Sequence, residues 1–276
     1  MSRPMVGSFM VSTSDKTNRG VPGPEVPYDD AGRLALADFI EGEDGARAEF
    51  IRLQIELENQ PKGQIPKSRL KHQSDLLHAN GQRWAGDLAG QVLDYHFHRG
   101  FLRRVICHTS ALVDHADSWM AQHPIRDLAI HEDPDIHEEA PHPTKLLMHP
   151  ILAELECLDL GTAMWTDGDW AVFAGRELPR LRHLVIRNLG PEAARWICGA
   201  SWWPNLVQLR LERQTDPWGL RELCQAMMLL PEIPKTGGPP GGGLGPRITV
   251  GMVGLENIAE RIRQSPLGRR FAFRVG

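Results

Sequence analysis

The chain has 276 residues, with 31 Lys and Arg against 35 Asp and Glu, a net charge of −4 and 41% hydrophobic residues. That balance argues against nucleic acid as the main partner, because phosphate binding needs a basic excess, and the wealth of Leu, Ile, Val and Trp argues against a disordered chain. No apolar run approaches the roughly 20 residues that span a bilayer, so no membrane association is expected, and the four cysteines (Cys107, Cys157, Cys198 and Cys224) form no Cys-x-x-Cys pair, which reads as reduced thiols in a cytoplasmic protein.

Residues 1–28 are rich in Ser, Gly and Pro and lack periodicity, so a flexible leader without a signal peptide is expected. Residues 29–99 read as a small α-helical module. Leu34, Leu36, Ala37 and Ile40 give its first helix an apolar stripe, broken at 42–45. Phe50, Leu53 and Leu57, with Ile51 and Ile55 beside them, mark a second helix. A third is expected over about 67–79, with Leu70, Leu76 and Leu77 inward and a stop at Asn80-Gly81.

From residue 100 the pattern changes to apolar, two variable, apolar, one variable, apolar. It occurs as Leu102-x-x-Val105-x-Cys107, Ile125-x-x-Leu128-x-Ile130, Leu155-x-x-Leu158-x-Leu160, Leu181-x-x-Leu184-x-Ile186 and Leu206-x-x-Leu209-x-Leu211, at intervals of 23, 30, 26 and 25 residues. Between these triplets, Ser110–Gln122, Asp169–Arg176, Pro191–Ala200 and Pro217–Leu229 carry helical spacing. The pattern resembles the short half of a leucine-rich repeat. It predicts an α/β solenoid over 100–230, with short parallel strands and return helices. Trp119, Trp170 and Trp196 are expected to pack between repeats, and Trp202-Trp203 to leave one ring open to solvent. Two stretches interrupt the array: the acidic, Pro-rich 131–145, read as a solvated loop, and the Gly/Pro-rich 231–246. Residues 247–276 suggest strand, helix and strand, forming a unit that caps the array.

The stretch 29–60 resembles the bacterial repeat-companion domain, a module that precedes repeat arrays. The matching residues are Arg33-Leu34, Ala37-Asp38, the turn at 42–45 and, most specifically, Glu49-Phe50-Ile51-Arg52-Leu53-Gln54. Trp84 and His98-Arg99-Gly100-Phe101 extend the likeness. Phe39 stands where the family usually has Trp, keeping an aromatic anchor. The resemblance implies a cytoplasmic interaction protein with no catalytic residues to carry over. Glu49 and Arg52 are read as holding the module against the first repeats, and Arg47 as a surface residue of the same helix.

Candidate chemistry is thin. The chain has 12 histidines but no His-x-x-x-His pair and no zinc-like Cys/His spacing, so no metal and no cofactor is expected. His108 and His131 occupy the same position in successive repeats. Cys157, Asp159 and His183 could meet across neighbouring strands, which leaves a cysteine-dependent enzyme as an alternative. The main expectation is a non-catalytic scaffold or adaptor that holds a protein partner on its concave face. In each strand the variable residues point outward. The expected partner-binding set is therefore Arg104, His108, Asp127, His131, Asp159, His183, Arg187, Gln208, Arg210 and Glu212. A specificity subunit of a multi-protein bacterial system is a further alternative.

Overall fold

The computed structural model describes residues 29–61, 63–131, 143–161, 165–212, 217–229, 247–251, 256–265 and 267–274. The expected leader, the Gly/Pro-rich 231–246 and most of the acidic stretch lie outside these residues. The fold is α/β. Among the described residues, eight strands form one open sheet in which strand order is chain order. Strand β1 (Asp94–His98) pairs antiparallel with β2 (Phe101–His108). The strands β3 (Asp127–His131), β4 (Cys157–Asp159), β5 (His183–Ile186), β6 (Gln208–Leu211), β7 (Arg247–Gly251) and β8 (Phe271–Arg274) follow in parallel.

The triplets explain the parallel strands. Leu102, Val105 and Cys107 are fully buried, and the matching positions of the other four triplets are at most 3% exposed. A parallel pair needs a covered crossover, and the helices between the strands supply it. These are α4 (Thr109–Gln122), α5 (Pro143–Met148), α6 (Asp167–Ala174), α7 (Pro191–Gly199) and α8 (Pro217–Leu229), with α9 (Glu256–Arg263) between β7 and β8. From α4 to α8, each helix touches the next, so the helices form a second layer over the inner face. Trp119, Trp170, Phe173 and Trp202 fill the space between layers. Among the described residues, no helix is long and apolar enough to cross a membrane.

The N-terminal segment holds α1 (Asp30–Ile40), α2 (Gly45–Asn59) and α3 (Lys67–Ala85), the first two capped by the carboxylates of Asp29 and Asp44. It is not purely helical, because β1 lies in it. The β1–β2 hairpin turns at Arg99-Gly100, both with positive φ (50° and 84°), the requirement of a two-residue turn that follows strand twist. Arg99 is held there by Asp30 and Glu58, each at 2.6 Å. Gln54 of α2 fastens the turn, donating to the Phe97 carbonyl at 3.4 Å and accepting from the Gly100 amide at 2.6 Å. Phe50, Trp84 and Phe97 belong to the same apolar cluster as the sheet.

Several local expectations need correction. Helix α3 runs through Asn80-Gly81 to Ala85, because a mid-helix glycine costs only about 1 kcal/mol and Trp84 buries beyond it. Leu34 and Leu70 sit at the surface, and Phe39 is 80% exposed, so it anchors nothing. Arg33 and Ala37 are the buried residues of α1. Trp196 is 47% exposed, whereas Trp202 and Trp203 are both buried under the helix layer. The end of the acidic stretch, from Pro143, is helical.

Arg47 is not a surface residue. Its guanidinium lies 4.8 Å from the Trp84 ring centre and 4.9 Å from that of Phe97. Burial lowers its pKa, and the Asp44 charge opposes that shift. Glu49 and Arg52 do not reach the sheet either. Glu49 pairs with His72 of α3, and Arg52 with Asp38 and Glu41 beside α1, so both tie helices to one another.

Candidate functional site

The register places the expected residues in columns on the face of the sheet opposite the helices. Arg104, Asp127, Cys157, His183, Gln208 and Arg247 are successive partners in the first column. Ile106, Ala129, Asp159, Val185, Arg210 and Thr249 form the second. His108 and His131 are partners in the third, which continues beyond the strand ends towards Arg187 and Glu212. The cause is the period of two: the triplet residues fill the core, so the residues between them have only the other face.

The charges on this face largely neutralise one another. Arg187 lies 3.2 Å from Asp159 and 3.7 Å from Glu212, and Glu212 in turn pairs with Arg210 at 2.5 Å. Asp159 also accepts from the Gly161 amide at 2.9 Å. Gln208 donates to Thr249 at 3.4 Å. The sheet thus gathers Asp159, Arg187, Arg210 and Glu212 into one network spanning three strands. His183 belongs to the neighbouring column and stands outside that network. Arg104 and Arg247 are exposed near the two ends of the first column, with no ion pair among the described residues. Among the charges the second column also carries Ile106, Ala129 and Val185, with Asp159 between the last two and Ala129 buried.

Cys157 and His183 are register partners, yet no hydrogen bond joins them. Burial, followed by the Asp127 charge, pushes the Cys157 thiol up to about 11, so it stays protonated at neutral pH. A thiol in that state is a poor nucleophile. His96 pairs with Asp94 at 3.2 Å, and His98 with Glu58 at 3.1 Å. Among the described residues, no group of three or more His, Cys, Asp or Glu side chains is placed to hold a metal ion.

A second ladder escaped the sequence reading. Arg103, Arg126, Glu156 and Arg182 share one position, directly after the first apolar residue of the triplet. Arg103 reaches Asp127 at 3.4 Å and, across β3, Glu156 at 2.5 Å. Arg126, with its side chain 8% exposed, pairs with Glu154 at 3.0 Å, and Arg180 meets the same carboxylate at 2.8 Å. The signal was present in the sequence as a charged residue at one fixed motif position in four of the five triplets. No family model, no curated protein and no solved structure matches the chain.

Proposed function

We propose that the protein is a non-catalytic interaction scaffold. In this reading it is a leucine-rich-repeat-like solenoid behind a repeat-companion module, and it holds a protein partner on the outward face of the sheet. The observation that carries the reading is the unbroken register from β2 to β7, which sets two side-chain columns on one strand-built surface, with a third beginning at His108 and His131. Mixed charge interspersed with single apolar side chains suits a folded protein or peptide, whereas a polyanion would need a sustained basic stripe. The internal ion pairs favour this further, because side chains already fixed by their neighbours lose little freedom on binding. The protonated Cys157 gives a cysteine-dependent enzyme no support. A specificity subunit would use the same face within a larger assembly.

The test uses surface variants of the whole chain. Val185→Arg alters an apolar side chain of the second column and Arg104→Glu reverses a charge engaged in no ion pair among the described residues, and neither alters an inward residue. Each should weaken binding of a captured partner by roughly 1–3 kcal/mol, with the melting temperature unchanged. Isothermal titration against the identified partner measures the loss. Binding that ignores both variants but disappears on Trp196→Ala would move recognition to the helical side and sink the assignment.

A further inference from the structure

Between α8 and α9 lies a groove of about 540 Å³ on the helical side of the molecule, away from the outward sheet face. Its floor is apolar, built from Cys224, Ile262 and Leu267. Burial pushes the Cys224 thiol up to about 11, so it behaves as a small neutral side chain. At its rim stand Trp218, 62% exposed, and Met228, 58% exposed. Two arginines, Arg221 and Arg261, complete the rim, the first with its guanidinium 5.4 Å from the Trp218 ring centre. Among the described residues the neighbouring carboxylates are engaged elsewhere: Glu222 pairs with Arg195 at 3.0 Å and Glu260 with Arg263 at 3.4 Å. Among the described residues, neither Arg221 nor Arg261 has an ion pair, and no carboxylate lines the groove.

A groove of about 630 Å³ beside Trp196 also exposes a tryptophan, but it is lined by Glu192 and Arg195, which lie 3.5 Å apart and cancel. Of these two grooves, the one between α8 and α9 combines exposed apolar anchors with a positive rim that no described carboxylate pairs. Exposed Trp and Arg are the residue types that dominate binding energy, and Met adapts its shape to an incoming side chain.

We propose that this groove docks an acidic amphipathic segment of a partner protein, its apolar residues on Ile262 and Leu267 between Trp218 and Met228, its carboxylates on Arg221 and Arg261. The apolar floor supplies the attraction and the arginines select the sign and orientation of the segment. This surface is independent of the sheet face, so one chain can hold two partners or two parts of one.

The probe is a fluorescein-labelled helical peptide with Leu and Phe at i, i+3, i+4 and i+7 and Glu elsewhere, titrated against the full chain. A second peptide carries Lys in place of Glu. The acidic peptide should bind saturably and lose affinity as salt is raised, while the basic one should not bind. The double variant Arg221→Glu, Arg261→Glu should bind the acidic peptide about tenfold more weakly. Met228→Glu, made separately, should do the same from the rim. Equal binding of both peptides, unchanged affinity in the variants, or no saturable binding of the acidic peptide overturns the proposal. Light scattering supplies the remaining outcome: a dimer dispersed by Trp218→Arg would assign the groove to a second copy of the chain and overturn it as well.

Discussion

At the scale of single residues, the junction between the N-terminal helices and the sheet carries the unusual chemistry. His123 is 7% exposed, and its Nε2–H donates to the Ala85 carbonyl at 3.1 Å. Burial lowers its pKa from 6.5 to about 4, and the nearby Arg47 charge adds to the effect. The folded value lies below the unfolded one, so at pH between the two the unfolded chain binds a proton that the folded chain refuses. Stability is therefore full above pH 6.5 and falls as the pH drops towards 4, by about 3 kcal/mol from this group. His123→Gln should flatten that part of the profile, measured by urea unfolding across the same range. Parallel profiles for the two proteins would show that other groups carry the acid sensitivity. Neither Arg47 nor His123 was legible as a buried group, because burial of Arg47 depends on the rings of Trp84, Phe97 and Phe101, which only the fold brings together.

At the scale of elements, what periodicity could encode was readable and what depends on neighbours was not. The five triplets announced β2 to β6, since apolar residues two apart have one inner face to fill. Strand β1 was missed because His96-Phe97-His98 offers a single inward residue and its partner β2 lies beyond the turn. On the outward face the column membership followed from the motif, while the Asp159–Arg187–Glu212–Arg210 network needed the register to become visible. Close packing of neighbouring strands also makes a prediction. Gly161, just past β4, has φ +62°, and a Cβ there would lie 1.7 Å from the Ile130 carbonyl oxygen of β3. Gly161→Ala should destabilise the protein by roughly 2–4 kcal/mol through the left-handed backbone and the clash. Gly42→Ala, where a Cβ meets nothing within 4 Å, is the control. Equal denaturation midpoints for the two variants would refute the packing argument.

At the scale of the whole molecule, one apolar cluster runs from Phe50 through Trp84, Val105 and Leu158 to Phe271. No strand-helix unit covers its own inner face, so each depends on its neighbours for burial. Removing residues 29–98 strips β1 from β2 and takes Phe50, Trp84, Leu88 and Phe97 from the cluster. The fragment 99–276 should melt without cooperativity and bind hydrophobic dyes, as scanning calorimetry and dye fluorescence would report; a sharp, reversible transition would contradict this. The strict agreement of strand order with chain order has one more consequence. Among the described residues the first and last strands lie at opposite edges of the sheet, seven steps apart, or about 34 Å along the sheet at roughly 4.8 Å per step. A tension drawn between those edges acts along the inter-strand hydrogen bonds. They break a pair at a time, as in a zipper, and never share the load as sheared strands do. Under mechanical stress the molecule should therefore yield softly, releasing its strands from the edges inward, as a low rupture force in single-molecule pulling would report.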